Sequence, residues 1–379
     1  MFLRIAEAQS AEQSGIRGVK KPFDPNIIPR YKEEDNMKQC RRMLAALAGI
    51  SILAASLSGC GANGGDNRRI IRVGHNQATD HPTNIALMAF EEYIESKLGD
   101  KYNVEVYPSE LLGSQTDMVQ LTQTGAIDFC VASNSILETF SENYTLFNMP
   151  YLFASAKAYH ASMDDPEVVD PIFESTTQAG FQAVTWIDAG TRNFYTVATP
   201  IESPTDLKGL KIRVQQSPTN VQMMDLLGGS ATPMGFGEVY TALQSKVIDG
   251  AENNEMALTS NGHGDVCKYY SYDMHQMIPD ILIGNCSFLN DLPQDEREIF
   301  EEGFKLVNEV EREEWVKAVE AAKDKAANEQ GVTFLYPDTK PFQDICLPMH
   351  ETILKQYPDL APVYEKIQAY NGQYPSDAE

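Results

Sequence analysis

The chain predicts an α/β protein of two domains, with a long helix bridging them. Three observations carry this reading. Its 379 residues are enough for two domains of ordinary size. Short apolar runs alternate with helical stretches along the chain, the pattern of an α/β fold. A proline-free stretch from Pro293 to Gln330 reads as one helix of unusual length.

Taken in order, Ile70 to Gly74 is a first strand, and His81-Pro82 opens a helix whose Ile85, Met88, Ala89, Tyr93 and Leu98 recur at helical spacing. Val104 to Tyr107 and Asp128 to Ala132 are the next strands, with a helix containing Met118, Gln120 and Leu121 between them. Phe181 to Ile187, Lys211 to Val214, Ser230 to Pro233, Val247 to Ala251 and Ile281 to Phe288 follow as strands. Pro293 suits the first turn of the long helix and Gly331 its C-terminal cap. At 1.5 Å per residue it would reach about 55 Å, wider than one small domain. The alternative is a kinked pair of helices broken at Gly303.

Charge narrows the function. The formal net charge is −24, from 54 acidic and 30 basic residues. Only 6 of the acidic but 9 of the basic residues lie in the first 60, leaving −27 on positions 61–379. Such a field repels nucleic acid, which proteins hold by neutralising phosphates, and it repels anionic lipid. Membrane attachment needs a separate device, and the N-terminus contains one. Lys38, Arg41 and Arg42 precede an apolar run from Met43 to Leu57. At roughly 15 residues this run suits a signal peptide, residues 37–59, better than a spanning helix of about 20. It ends in Leu57-Ser58-Gly59-Cys60, which resembles the lipobox of bacterial lipoproteins. That resemblance implies cleavage before Cys60 and lipidation of its sulfur; the alternative is a simple signal peptide with a chance cysteine. Residues 60–67 then form a Gly- and Asn-rich tether. Residues 1–36 fit none of this and read as a mis-called extension ahead of a start at Met37.

Catalytic patterns are absent. The histidines, His75, His81, His160, His263, His275 and His350, show no HExxH spacing, and no nucleophile elbow or phosphate loop occurs. Of six cysteines, Cys40 leaves with the signal peptide and Cys60 is committed to lipid. Cys130, Cys267, Cys286 and Cys346 lack metal-ligand spacing and read as buried free thiols. One disulfide among them would be compatible with a place outside the cytoplasm. No metal, cofactor or enzymatic activity is expected.

Basic residues are scarce in the middle of the chain. Only Lys157 lies between Lys101 and Arg192, and none lies between Arg213 and Lys246. Arg192, in Gly190-Thr191-Arg192-Asn193, and Arg213, ending Lys211-Ile212-Arg213, each follow an apolar strand, where ligands gather in α/β sheets. A guanidinium can grip a carboxylate through two parallel hydrogen bonds. On spacing alone, either arginine is more often a surface ion-pair residue.

Two stretches, DLKGLKIRVQQSP and SATPMGFGEVYTALQSKVIDGAEN, closely resemble the substrate-binding subunits of tripartite ATP-independent periplasmic (TRAP) transporters. RVGHNQATDHP, VEVYPSELLGSQTDMVQLTQTGAIDF and LFNMPYLF upstream resemble the same family in order and spacing. The resemblance implies a two-domain solute-binding protein of the Venus-flytrap type, with domains at residues 68–189 plus 279–318 and 190–278 plus 319–379. It implies that Arg213 is the main carboxylate-binding residue, Arg192 the second arginine, Asn253 the asparagine joining them and Phe236 the ring over the ligand. Asn76 and Ser133 would contact the ligand from the other domain, although Ser133 can equally be a helix cap. The family often has proline after the motif's asparagine, where this chain has Asn254. The implied substrate is a small organic acid, either a sugar acid such as a hexuronate or a four-carbon dicarboxylate. The implied partners are the TRAP membrane subunits and, through Cys60, the membrane. A receptor lipoprotein serving a membrane sensor kinase is the rival expectation.

Overall fold

The computed structural model describes residues 67–375. The expected extension, signal peptide and Cys60 lie outside the described residues. Eleven strands are described: β1 (Arg69–Gly74), β2 (Tyr102–Tyr107), β3 (Phe129–Ser133), β4 (Phe181–Ile187), β5 (Arg192–Thr196), β6 (Lys211–Val214), β7 (Ser230–Pro233), β8 (Gly250–Asn253), β9 (Tyr269–Gln276), β10 (Asp280–Asn285) and β11 (Thr333–Leu335). They form two sheets, ordered β2-β1-β3-β10-β4 and β11-β9-β5-β8-β6-β7. In the first, β1, β2 and β3 run parallel while β10 is antiparallel to both β3 and β4. In the second, β5 is antiparallel to its neighbours β8 and β9, and β6 pairs in parallel with β7 and β8. The chain crosses between sheets at 188–191 and again at 277–279.

The third crossing is the helix Gln294–Asn328, unbroken over 35 residues. Its Phe300, Phe304 and Val307 enter the core of the first sheet with Phe90, Phe129 and Phe288. Farther along, Ala326 packs with Tyr195 and Tyr270 in the core of the second. Gly303 does not break the helix. A Cβ there would sit 2.9 Å from the Phe90 ring, so the glycine allows the helix Pro82–Leu98 to approach closely. At the first crossing Gly190 has φ +61°, and a Cβ would meet the Trp315 ring at 2.8 Å. Both the left-handed backbone and the close ring require glycine there.

Helix Pro82–Leu98 corrects one expectation. It buries Ala86, Leu87, Phe90, Ile94 and Leu98, while Ile85 and Met88 are 39% and 45% exposed. Both faces carry apolar residues, and packing against the long helix selects the Phe90 face. The last expected strand ends early, at Asn285. The Asn285 side chain accepts from the Phe288 amide and starts a helix over Cys286–Asp291. The final helix, Ala361–Gln373, returns to the segment 152–165, where Asn371 donates to the Leu152 carbonyl at 2.8 Å and Tyr370 to Asp165 at 2.9 Å. Cys130, Cys267 and Cys346 are buried free thiols as expected; Cys286, also unbridged, is only half-buried. No described helix is long and apolar enough to cross a membrane.

Candidate functional site

Strand order brings the two arginines together. Arg192 follows β4 across the crossing 188–191 and itself opens β5, where Asn193 pairs with Asn253 at the end of β8. On the other side of β8, Arg213 of β6 pairs with Ala251. Two arginines 21 positions apart in sequence thus flank one strand and reach one cleft between the sheets. About 520 Å³ of space between atoms lies in this cleft, its open mouth included.

The two guanidiniums differ in what they have left to offer. Arg192 donates from Nε to Glu252 Oε2 at 2.5 Å, from Nη2 to the Glu252 carbonyl at 2.9 Å, and from Nη1 to Asn253 Oδ1 at 3.0 Å. All three nitrogens are engaged, and the Glu252 carboxylate neutralises the charge. Arg213 donates from Nε and Nη2 to the Met234 carbonyl at 3.2 and 2.9 Å. Its Nη1 has no protein partner among the described residues, and no carboxylate pairs with it. The Phe236 ring lies 5.7 Å from its guanidinium carbon. Arg213 is only 3% exposed and has no carboxylate within ion-pair distance, although Glu252 and Glu110 act on it from farther off, so an anion that reaches its open edge is strongly attracted.

A buried chain of ionisable groups holds Arg192 from behind. His275 Nε2 lies 3.7 Å from the same Glu252 oxygen, and His275 Nδ1 meets Asp273 Oδ2 at 2.7 Å. Asp273 also accepts from the Phe194 amide at 3.0 Å, and the Phe194 ring stacks on His275 at 4.5 Å. Burial would push the imidazole pKa down, but Asp273 and then Glu252 outweigh it and raise it to about 9. Burial opposes ionisation of Glu252 as well, yet Arg192 and His275 hold it down to about 2. Arg192, Glu252, His275 and Asp273 therefore form two ion pairs in series.

Of the six candidate ligand contacts, the structure brings Arg213, Arg192, Asn253, Phe236 and Asn76 to the cleft. Asn76 Oδ1 is buried and has no protein partner among the described residues. Ser133 does not line the cleft. Its hydroxyl caps the helix Asn134–Leu137, and its amide donates to Gln115, which does line it. Asn254 supplies contacts of its own: its amide donates to Asn253 Oδ1 at 2.9 Å and its Nδ2 to the Ala189 carbonyl at 3.0 Å. These bonds, with that from Arg192, orient Asn253.

Several cleft residues were not anticipated. Gln215 and Gln216 lie two and three positions after Arg213, within the recognised motif, and that nearness was the available signal. Gln77 and Gln115, each within a stretch of the recognised resemblance, also line the cleft, as does Asp280, which no motif or spacing announced. At the rim, Glu110 reaches from the loop after β2 to the Gly237 backbone, and burial raises its pKa despite that hydrogen bond and nearby Arg213. The walls thus carry one unsatisfied cation and a run of carboxamides, the equipment for one carboxylate and several hydroxyls.

Comparison with known proteins agrees with this chemistry. Residues 73–356 match the family described as bacterial extracellular solute-binding protein, family 7. An uncharacterised protein of Salmonella typhimurium, YiiZ, is 42% identical over 287 residues, 76% of this chain and 88% of that one. A TRAP periplasmic solute-binding protein of Anaerococcus prevotii, solved with bound α/β-D-glucuronate, is 67% identical and superposes with a TM-score of 0.80, covering 81% of this chain and all of that one. A similar protein of a Sulfitobacter species, solved with β-D-galacturonate, is 29% identical with a TM-score of 0.74, over 78% and 98% of the two chains.

Proposed function

Because the chain belongs to family 7 of the bacterial extracellular solute-binding proteins, the binding subunits of TRAP transporters, we propose that it captures a hexuronate and delivers it to the membrane subunits of such a transporter. The observation that carries this reading is the single open guanidinium edge of Arg213 among carboxamide walls. A second open cation would favour a dicarboxylate, whereas Arg192 already gives three of its five N–H groups to Glu252 and Asn253 and has its charge paired with Glu252. The glucuronate and galacturonate bound by similar proteins support the same choice. In this reading Arg213 grips the carboxylate, Asn253 and Arg192 frame it, Phe236 covers the sugar face and Asn76 contacts it from the first sheet. Residues 68–189 with 279–318 form one domain and 190–278 with 319–379 the other. They close about the crossings because the ligand adds contacts that only the closed state makes.

Thermal unfolding with a panel of acids tests the reading. A hexuronate at 100 times its Kd adds about 2.7 kcal/mol of stability, and small-angle scattering should show a smaller radius of gyration. Stabilisation by succinate or malate, with none from glucuronate or galacturonate, would overturn it.

We further propose that Cys60 anchors the protein to the membrane on its outer side. One lipid chain anchors only marginally, so two or more are expected on this residue. In the native host, mass spectrometry should find lipidated Cys60 at a new N-terminus, and Cys60→Ala should move the protein to the soluble fraction. An uncleaved chain with unmodified Cys60 would rule the anchor out.

A further inference from the structure

Among the described residues that line the cleft, Asp280 is the only carboxylate. It opens β10, in register with Ser133 at the end of β3 and with Ile187 at the end of β4. That register puts it at the strand ends of the first sheet that border the cleft, which the arginines of the second sheet also line. A carboxylate beside an anion site opposes the site's purpose, so its place needs a reason. Neutralising Arg192 is not the reason, because Glu252 already does so at 2.5 Å and no hydrogen bond joins Asp280 to Arg192. Packing does not require it either, since burial disfavours its charge and raises its pKa to about 6, against the pull of Arg192 and a hydrogen bond from Gln77. Its ionised form can accept hydrogen bonds but not give them.

We propose that Asp280 restricts the cleft to acids with a single carboxylate, accepting hydroxyl groups of the bound sugar and repelling a second carboxylate at the same place. This rests on the sugar-acid reading and adds the residue that enforces it. Selectivity comes from an element unfavourable to the wrong ligand as much as from contacts to the right one. Asp280 serves both ends. A hydroxyl gains a charged acceptor, whereas a carboxylate meets a like charge and finds Arg192 already taken.

The test is calorimetry of the full mature protein with D-glucuronate, with D-glucarate (which adds a second carboxylate) and with succinate. Wild type should prefer glucuronate to either diacid by at least about 100-fold, and D280N should narrow that preference about tenfold or more. Each acid serves as its own control between the two proteins, so differences in ligand shape cancel. A purely structural role would weaken all three acids together, and a preference unchanged within about threefold would overturn the proposal. Asp280→Ser removes the same charge if D280N does not fold. A wild-type preference below about threefold would overturn the proposal without any variant. Wild type that binds a diacid and no hexuronate would instead overturn the sugar-acid reading itself.

Discussion

Arg213→Ala should weaken hexuronate binding by about 30-fold to several thousand-fold, the cost of about 2–5 kcal/mol for leaving a buried carboxylate unpaired. The geometry explains why this arginine matters more than its neighbour. Arg192 is neutralised by Glu252 and bonded through all three nitrogens, whereas Arg213 keeps one nitrogen for the ligand and has no carboxylate within ion-pair distance. The substitution also releases the Met234 carbonyl, so some loss of stability accompanies the loss of affinity. Arg213→Lys separates the two. An ammonium keeps the charge but cannot hold Met234 and grip a carboxylate in fork geometry at once, so it should recover only part of the affinity. Calorimetry on folded protein reads the result directly. If Arg213→Ala binds the hexuronate within about twofold of wild type, near 0.4 kcal/mol, the arginine is structural and the site lies elsewhere.

The second large effect is on stability. Glu252→Gln leaves Arg192 and His275 buried without the carboxylate that both face, and breaking such a pair costs about 3–5 kcal/mol. Denaturant unfolding should show that loss near pH 6, and its pH dependence has a defined sign. His275 is raised from 6.5 to about 9, so its contribution is complete below pH 6.5 and fades as pH rises through about 9. Glu252 is lowered from 4.5 to about 2, so its contribution is complete above pH 4.5 and fades as pH falls toward about 2. The difference between wild type and Glu252→Gln should therefore be greatest between about pH 4.5 and 6.5 and shrink on both sides. A difference below about 1 kcal/mol at pH 6, or one that does not vary with pH, would mean that the buried chain does not support Arg192.

Much of the fold was legible in local sequence. Phe181–Ile187, Lys211–Val214 and Ser230–Pro233 are strands with the expected bounds, each a short run marked off by turn residues. The strand β9 was not legible. Its buried positions include Ser271, Asp273, His275 and Gln276, so the apolar alternation that signals a strand is missing where the strand carries the support of the site. β11 has three residues, too few for any period. β5 was hidden because its first residue is Arg192, a charge that reads as surface until Glu252 is found beside it.

The α/β class, the long helix and the motif residues around Arg213 can be read along the chain, because each depends on residues close together in it. Which face of Pro82–Leu98 is buried could be read only from the folded structure, since both faces are apolar and a neighbouring helix selects one. The same holds for which arginine is free. A guanidinium's capacity to bind depends on how many of its N–H groups and how much of its charge are already matched. For Arg192 those partners come from β8 and, behind it, from β9, 60 to 83 positions away. Asp280 enters the cleft for the same reason: the pairing of β10 with β3 and β4, and no local pattern, sets it at the strand ends that border the cleft.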